Sequence, residues 1–303
     1  MQYDASRRTF DCEPTLTDSD VLRFCREGYL HFEGVVPDEI NRRTRDYLNG
    51  KIPANPSYMP SGMTADDLVR IRNSHEPSSI LLEDWFIEHV LLNPVLAGAL
   101  RSLLGRHVGL PVLVSDHRVA CPEGPQGWHH DADHLFGPEV HFVEVFYFPQ
   151  DTPDEMGPTE VTPGSHIRTT RRTQEENGVL CSGPAGTIGL HSQSILHRRG
   201  ASTATGLRHM LKYSYWRTVP PARDWIAEPD FDFRHADYGG HGSARYVAHM
   251  FYWLCGKGDE FRLIGGQAWP WKSTNQIGPS YGYGRTEGYL PDWRGNNDDD
   301  YAR

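Results

Sequence analysis

The part of the chain that decides its fold is a central series of short apolar runs, among them GLPVLVSDHRVA at 109–120 and EVHFVEVFYFP at 139–149. Three more runs follow: GPTEVTPGSH at 157–166, GTIGLHSQSIL at 186–196 and LRHMLKYSYWRTV at 207–219. These runs are separated by turns that contain Gly and Pro, which is typical of short strands. The pattern predicts a sandwich or jelly roll and disfavours alternating βαβ units.

Helical patterns lie on both sides of this β-rich core. Capping signals and apolar periodicity predict three helices before the core, which begin after Thr17, at Pro37 and at Pro94. A fourth helix is predicted at about 243–255. We interpret the whole chain, 1–303, as one domain. Its parts are an N-terminal region (1–107) that contains a loop or lid at 51–64, the core (108–219) and a C-terminal extension (220–303).

The composition argues against several classes of protein. The chain carries 30 Lys and Arg against 40 Asp and Glu, so its formal net charge is −10. This acidity disfavours binding to nucleic acids or to anionic lipid, because both need a basic surface. No apolar run approaches the length of a membrane helix, and the first residues lack the apolar stretch of a signal peptide. The five cysteines show no CxxC spacing, which suits reduced thiols and predicts a cytoplasmic protein.

Histidine is unusually frequent in this chain, with 16 residues, and three of them lie in the segment WHHDADH at 128–134. In an extended segment, alternate residues share a face, so His129 shares one with Asp131 whereas His130 shares the other with Ala132. An imidazole and a carboxylate at this spacing can bind one metal ion. A second histidine would complete a 2-His-1-carboxylate site, which leaves positions open and is typical of non-haem Fe(II) oxygenases. Hydrolytic zinc sites keep fewer positions open, so iron is favoured.

Residue types and spacing alone do not decide which residue is the second histidine ligand. The candidates are His141, His166, His191 and His197. His197 follows a strand-like run and precedes Arg208 by 11 positions. An arginine near the metal can hold the far carboxylate of a dicarboxylate through two parallel hydrogen bonds, which a lysine would hold less rigidly. The spacing of His, Asp, His and Arg is therefore more specific than the His-x-Asp pair alone.

Several of these motifs together resemble the phytanoyl-CoA dioxygenase-like family of Fe(II)/2-oxoglutarate oxygenases. The motifs are WHHD at 128–131, MGPTEVTPGSH at 156–166, LHRRG at 196–200 and Arg208. The opening segment LTDSDVLRFCREGYLHFEGVVP at 16–37 is also similar to the first helix and strand of that family. The resemblance covers roughly 15–219 and leaves the last eighty or so residues unassigned.

The resemblance implies a double-stranded β-helix (a jelly roll, cupin-like) core with His129, Asp131 and His197 as the iron ligands. It implies that Arg208 binds the far carboxylate of 2-oxoglutarate, and that O2 and 2-oxoglutarate are consumed with release of succinate and CO2. Two further residues, Arg72 and Tyr147, are candidates for the co-substrate pocket. The presence of a carboxylate at Asp131 disfavours halogenation, because halogenating relatives have a small residue there.

The expected reaction is hydroxylation of a small organic molecule. Desaturation, epimerisation or ring formation would use the same iron site, and the sequence does not separate them. A non-catalytic β-sandwich binding protein and a zinc hydrolase are the alternatives from other classes. Two positions depart from the pattern of many relatives, Arg199 in place of a small hydroxyl residue and Thr187 in place of Asp. The substrate and the oligomeric state stay open.

Overall fold

The computed structural model describes residues 1–50, 77–131, 137–167, 178–223, 237 and 244–257. In these ranges the chain is mainly β with helices on its flanks, which confirms the predicted fold class. The predicted loop at 51–64 and most of the C-terminal extension lie outside the described residues. The helices are α1 (Asp18–Glu27), α2 (Asp38–Asn49), α3 (Asp84–Phe86), continued by a π-helical turn over Ile87–Leu91, α4 (Pro94–Leu104) and α5 (Ala244–Leu254).

The strands form one large and two small antiparallel sheets. In chain order the strands are β1 (Gln2–Asp4), β2 (Thr9–Asp11), β3 (Tyr29–Phe32), β4 (Val108–Gly109), β5 (Val114–Asp116), β6 (Val119–Cys121), β7 (Phe142–Phe148), β8 (Thr159–Val161), β9 (Val179–Leu180), β10 (Thr187–Ser192), β11 (His197–Arg199), β12 (Gly206–Arg208) and β13 (Leu211–Trp216). The large sheet has the order β1-β2-β4-β13-β7-β10-β3, and β5 also pairs with β13. The small sheets are β11-β8-β9 and β12-β6. Three N-terminal strands therefore extend the sheet beyond the predicted core.

The two faces of the large sheet have different roles. Val143, Val145 and Tyr147 of β7 point to the helices, where they join the main apolar core. The alternate residues, such as Phe146, point to the small sheets, and the Phe146 ring lies 5.7 Å from the ring of His197 in β11. Because neighbouring side chains of a strand point to opposite faces, the space between the sheets receives every second residue of β7 and β13. The candidate site lies in this space.

Local signals explain where the helices begin and end. Thr17 and Asp20 form the predicted capping box of α1, and Gly28 ends that helix in the left-handed conformation, with φ of +82°. Asn93 caps α4 by accepting from two backbone N–H groups, and Pro94 occupies its first turn. No single helix within the described ranges is long and apolar enough to cross a membrane. One pair of consecutive helical segments, bent by 68° relative to each other, reaches that length and apolarity only when taken together.

Replacing Gly28 by alanine should destabilise the protein by about 2–3 kcal/mol, because the new Cβ would be strained at this φ and would also overlap the buried imidazole of His166. Gly34 is the matched control, since its φ is also left-handed, at +60°, but a new Cβ there would make only an ordinary contact of 3.5 Å with the side chain of Pro184. Gly34→Ala should cost only about 1 kcal/mol. Urea unfolding of both variants measures the difference, and equal losses would contradict the packing argument.

Candidate metal centre

A single β-bridge brings the predicted ligands together. His129 and His197 exchange two backbone hydrogen bonds of 3.0 Å, and His197 pairs on its other side with Val161 of β8. The ligand atoms of His129, Asp131 and His197 all lie within 4.8 Å of one another, and Nε2 of His197 is 3.8 Å from Oδ2 of Asp131. Residues separated by 68 positions in the chain thus present two imidazoles and one carboxylate to one point.

Both imidazoles are oriented by the backbone. Nδ1–H of His129 donates to the carbonyl of Gly127 at 2.9 Å, and Nδ1–H of His197 donates to the carbonyl of Ile195 at 3.0 Å. Because a carbonyl can only accept, Nδ1 carries the proton in each ring and Nε2 keeps its lone pair. Metal-ligating histidines commonly have this outer hydrogen bond, which fixes the ring and its tautomer.

The charge states also suit a metal ion. Burial lowers the pKa of His197 to about 4, so its imidazole is neutral near neutral pH. Burial alone would raise the pKa of Asp131, but the positive charge of Lys212, together with the neighbouring His197 imidazole, outweighs it and lowers the pKa to about 2. Metal ions need neutral imidazole and ionised carboxylate, and both are present here. The donor set therefore fits a 2-His-1-carboxylate centre.

A pocket of about 450 Å³, counted to its open mouth, adjoins the triad. Its wall is formed by strands of all three sheets. Besides the triad, its lining residues are His117, Val119, Gln126, Phe146, Thr159, Arg198, Arg199, Arg208, Met210 and Lys212.

Arg208 is a buried cation in this pocket. It is 2% exposed, and its Nη1–H donates to the carbonyl of Gly157 at 2.6 Å. Its Nε–H has no hydrogen-bond partner, and none of the ion pairs found among the described residues joins it to a carboxylate. Burial lowers the pKa of Arg208 to about 10, so the group still carries its charge at neutral pH. A buried guanidinium without a carboxylate partner is costly unless a ligand supplies one.

Tyr147 does not line the pocket, contrary to the prediction. Its side chain points to the helix-covered face of β7, and its O–H donates to Oδ1 of Asn41 in α2 at 2.7 Å. The neighbouring Phe146 takes the inward position instead. Residue types alone do not predict this choice, because Phe146, Tyr147 and Phe148 are all aromatic. The other proposed co-substrate residue, Arg72, lies outside the described residues, as do Asp133 and His134 of the histidine-rich segment.

The other candidate histidines have partners elsewhere. His191 stacks on Phe146 with ring centroids 4.2 Å apart, and Nε2 of His166 bonds to the carbonyl of Cys25 at 3.0 Å. His141 packs on the edge of the Trp253 ring, 5.4 Å away. His130, the competitor of His129, donates from Nδ1 to the carbonyl of Ser194 at 2.8 Å. The structure places only His197, of the four candidates for the second histidine, beside His129 and Asp131.

The two departures from the family pattern have different surroundings. Arg199 lines the pocket, where its Nη2–H donates to the carbonyl of Gly124 at 2.8 Å and lies 3.7 Å from the carboxylate of Glu123. Thr187 is buried, and its hydroxyl bonds to backbone groups of Gly34 and Pro184. Arg199 is therefore a site residue, whereas Thr187 supports a turn.

Lys212 lines the pocket and Glu144 lies beside it, and neither residue was predicted from the sequence. Lys212 lies on the inner face of β13 and its ammonium contacts Asp131, and Glu144 lies on the inner face of β7. The sequence feature that could have indicated them is a charged residue within an otherwise apolar strand. Lys212, for example, lies between Leu211 and Tyr213, which are both buried on the helix-covered face. A charged residue at the inward position of a strand indicates a functional pocket.

Comparison with known proteins identifies the class and then the family. An antiparallel β core of this kind is shared by two solved structures, CytC3 with Fe(II) and alpha-ketoglutarate (TM-score 0.51, 16% identity, 68% of this chain and 79% of that one) and the non-heme monooxygenase ThoJ with Ni (TM-score 0.50, 18% identity, 80% and 98%). The core is a cupin-like jelly roll, which confirms the implied fold.

Residues 24–210 match the family model for phytanoyl-CoA dioxygenase (PhyH). Because this match covers more than half of the chain, the chain belongs to the phytanoyl-CoA dioxygenase family and is an Fe(II)/2-oxoglutarate-dependent oxygenase.

One curated relative adds an activity. The chain is 24% identical over 242 residues to L-proline trans-4-hydroxylase of Streptomyces griseoviridis, which covers 65% of this chain and 85% of the relative. The relative is thus matched over most of its length, at an identity too low to carry its substrate across.

Proposed function

We propose that this enzyme hydroxylates a small organic molecule, with Fe(II) held by His129, Asp131 and His197 and with 2-oxoglutarate anchored by Arg208. The observation that carries this proposal is the position of Arg208, a buried cation without a carboxylate partner among the described residues, in the pocket that the triad also lines. A metal site alone would fit several classes of enzyme. A metal site that shares its pocket with an unpaired guanidinium fits a dicarboxylate co-substrate.

Each residue has a separate task in this proposal. Nε2 of the two imidazoles and the Asp131 carboxylate would hold the metal on one side and leave its other positions open. Arg208 would bind the far carboxylate of 2-oxoglutarate, so that the 2-oxo acid end reaches the metal. The bound iron would supply the activation of O2, with succinate and CO2 as products. Phe146 and Met210, which belong to one buried apolar cluster, would make part of the pocket wall apolar.

Hydroxylation is preferred over the other oxidative outcomes because the curated relative is a hydroxylase. Substrate placement decides between hydroxylation, desaturation and ring formation, so the products must be measured. A panel of amino acids and other small carboxylic acids should be incubated with Fe(II), 2-oxoglutarate and O2, and succinate release and product mass followed. A gain of one oxygen atom supports the proposal, whereas a loss of two hydrogen atoms indicates desaturation. Turnover without O2 and 2-oxoglutarate would refute it.

A further inference from the structure

Lys212, which lines the pocket, makes two ionic contacts that the proposed function does not use. The ammonium of Lys212 contacts Oδ2 of Asp131 and lies 3.4 Å from Oε1 of Glu144. Lys212 and Glu144 lie on the adjacent strands β13 and β7, on the same inward face, where Glu144 stands opposite Ser214. One cation is therefore shared between the proposed ligand Asp131 and a second carboxylate.

These charges interact strongly because little water reaches them. The side chain of Glu144 is 4% exposed, that of Lys212 is 16% exposed and that of Asp131 is 19% exposed. Nζ of Lys212 also lies 5.5 Å from the centroid of the Phe146 ring, whose face favours a cation. Coulomb interactions at such distances are several times stronger than they are in bulk water. Lys212 thus brings a positive charge close to the buried carboxylate of Glu144.

We infer that Lys212 is a positioning residue that keeps Glu144 out of the coordination shell of the metal, so that Asp131 remains the one carboxylate ligand. This inference rests on the proposed function. A divalent cation at the triad would attract both carboxylates, and carboxylate oxygens are good ligands for Fe(II) and similar ions. A second carboxylate would occupy a position that the 2-oxo acid needs. Lys212 keeps Glu144 from coordinating the metal by pairing with its carboxylate. Because Lys212 also contacts Asp131, its ammonium competes with the metal for the Asp131 carboxylate.

The inference predicts opposite changes in two affinities when the ammonium is removed. In Lys212→Met, metal binding should become about tenfold tighter, because the competing cation is lost and Glu144 joins the ligands. The affinity of the Fe(II) enzyme for 2-oxoglutarate should fall about tenfold, because one open position is taken. Calorimetry with Ni(II), which is not oxidised in air, measures the first change. The visible absorption of the Fe(II)·2-oxoglutarate complex without O2 measures the second.

Two matched variants separate this role from a structural one. Adding Glu144→Gln to Lys212→Met removes the second carboxylate, so the 2-oxoglutarate affinity should return to within about threefold of wild type. Metal binding should lose the part of its gain that Glu144 supplies and keep the part that comes from loss of the competing cation. Lys212→Arg keeps the charge and should retain the 2-oxoglutarate complex. If Lys212→Met does not fold, Lys212→Gln takes its place, since it is polar and uncharged.

The inference is overturned if loss of the Lys212 charge weakens Ni(II) binding, leaves both affinities unchanged, or lowers the 2-oxoglutarate affinity in a way that Glu144→Gln fails to reverse. Its failure is distinguishable from failure of the proposed function. The wild-type protein alone tests the latter, because it must form the Fe(II)·2-oxoglutarate complex whatever the Lys212 variants do.

Discussion

Replacing Asp131 by alanine is expected to lower kcat/KM by at least about 10³-fold and to remove tight Fe(II) binding, while the fold is retained. A loss of this size corresponds to about 4 kcal/mol of transition-state stabilisation, as expected when a metal centre is not assembled. His197→Ala should give the same result, because its Nε2 lies only 3.8 Å from the Asp131 carboxylate. Anaerobic Fe(II) titration, steady-state kinetics and thermal unfolding measure the three quantities.

His130→Ala is the control for this prediction. His130 is adjacent to His129 in the chain, but its ring bonds to the carbonyl of Ser194 and is not part of the triad. Its replacement should leave the Fe(II) affinity within about threefold of wild type, since substitution of a residue that does not bind the metal has only a small effect on the metal site. If His130→Ala lost the metal and His129→Ala kept it, the assignment of faces along this segment would be wrong.

The sequence predicted the local features of the fold better than its long-range ones. The ends of α1 and α4 follow from Thr17, Gly28 and Asn93, because capping depends on residues a few positions apart. The order β1-β2-β4-β13-β7-β10-β3 was not predictable, since it depends on pairings between strands far apart in the chain. The prediction therefore gave the class of fold, and the structure gave its topology.

The same distinction holds for the site. The shared face of His129 and Asp131 follows from strand geometry within three residues, whereas the position of His197 required the β-bridge to His129. The sequence could not fix which face Tyr147 occupies, because its neighbours in β7 are equally apolar. Lys212 was overlooked since a lysine in a strand is usually solvent-exposed. Only the packing of β13 beside β7 shows that it points inward.

Replacing Arg208 by alanine is expected to raise KM for 2-oxoglutarate about 30- to 100-fold, with a smaller effect on kcat at saturation. The lost contact is a charge-assisted one in a buried pocket, for which about 2–3 kcal/mol is typical. Arg208→Lys should recover only part of the affinity, because an ammonium cannot make the paired contact of a guanidinium. Steady-state kinetics with varied co-substrate measures both changes.

Two comparisons decide whether Arg208 acts on the far carboxylate. With 2-oxobutyrate, which lacks that carboxylate, wild type and Arg208→Ala should have similar KM values, since the missing contact is absent from both complexes. Arg217 is a matched control: burial likewise lowers its pKa to about 10, and its guanidinium bonds to the carbonyls of Val140 and Leu103 outside the pocket. Arg217→Ala should lower stability and leave KM for 2-oxoglutarate unchanged. An equal rise of KM for 2-oxoglutarate and 2-oxobutyrate in Arg208→Ala would mean that Arg208 supports the pocket wall through Gly157 and does not bind the co-substrate.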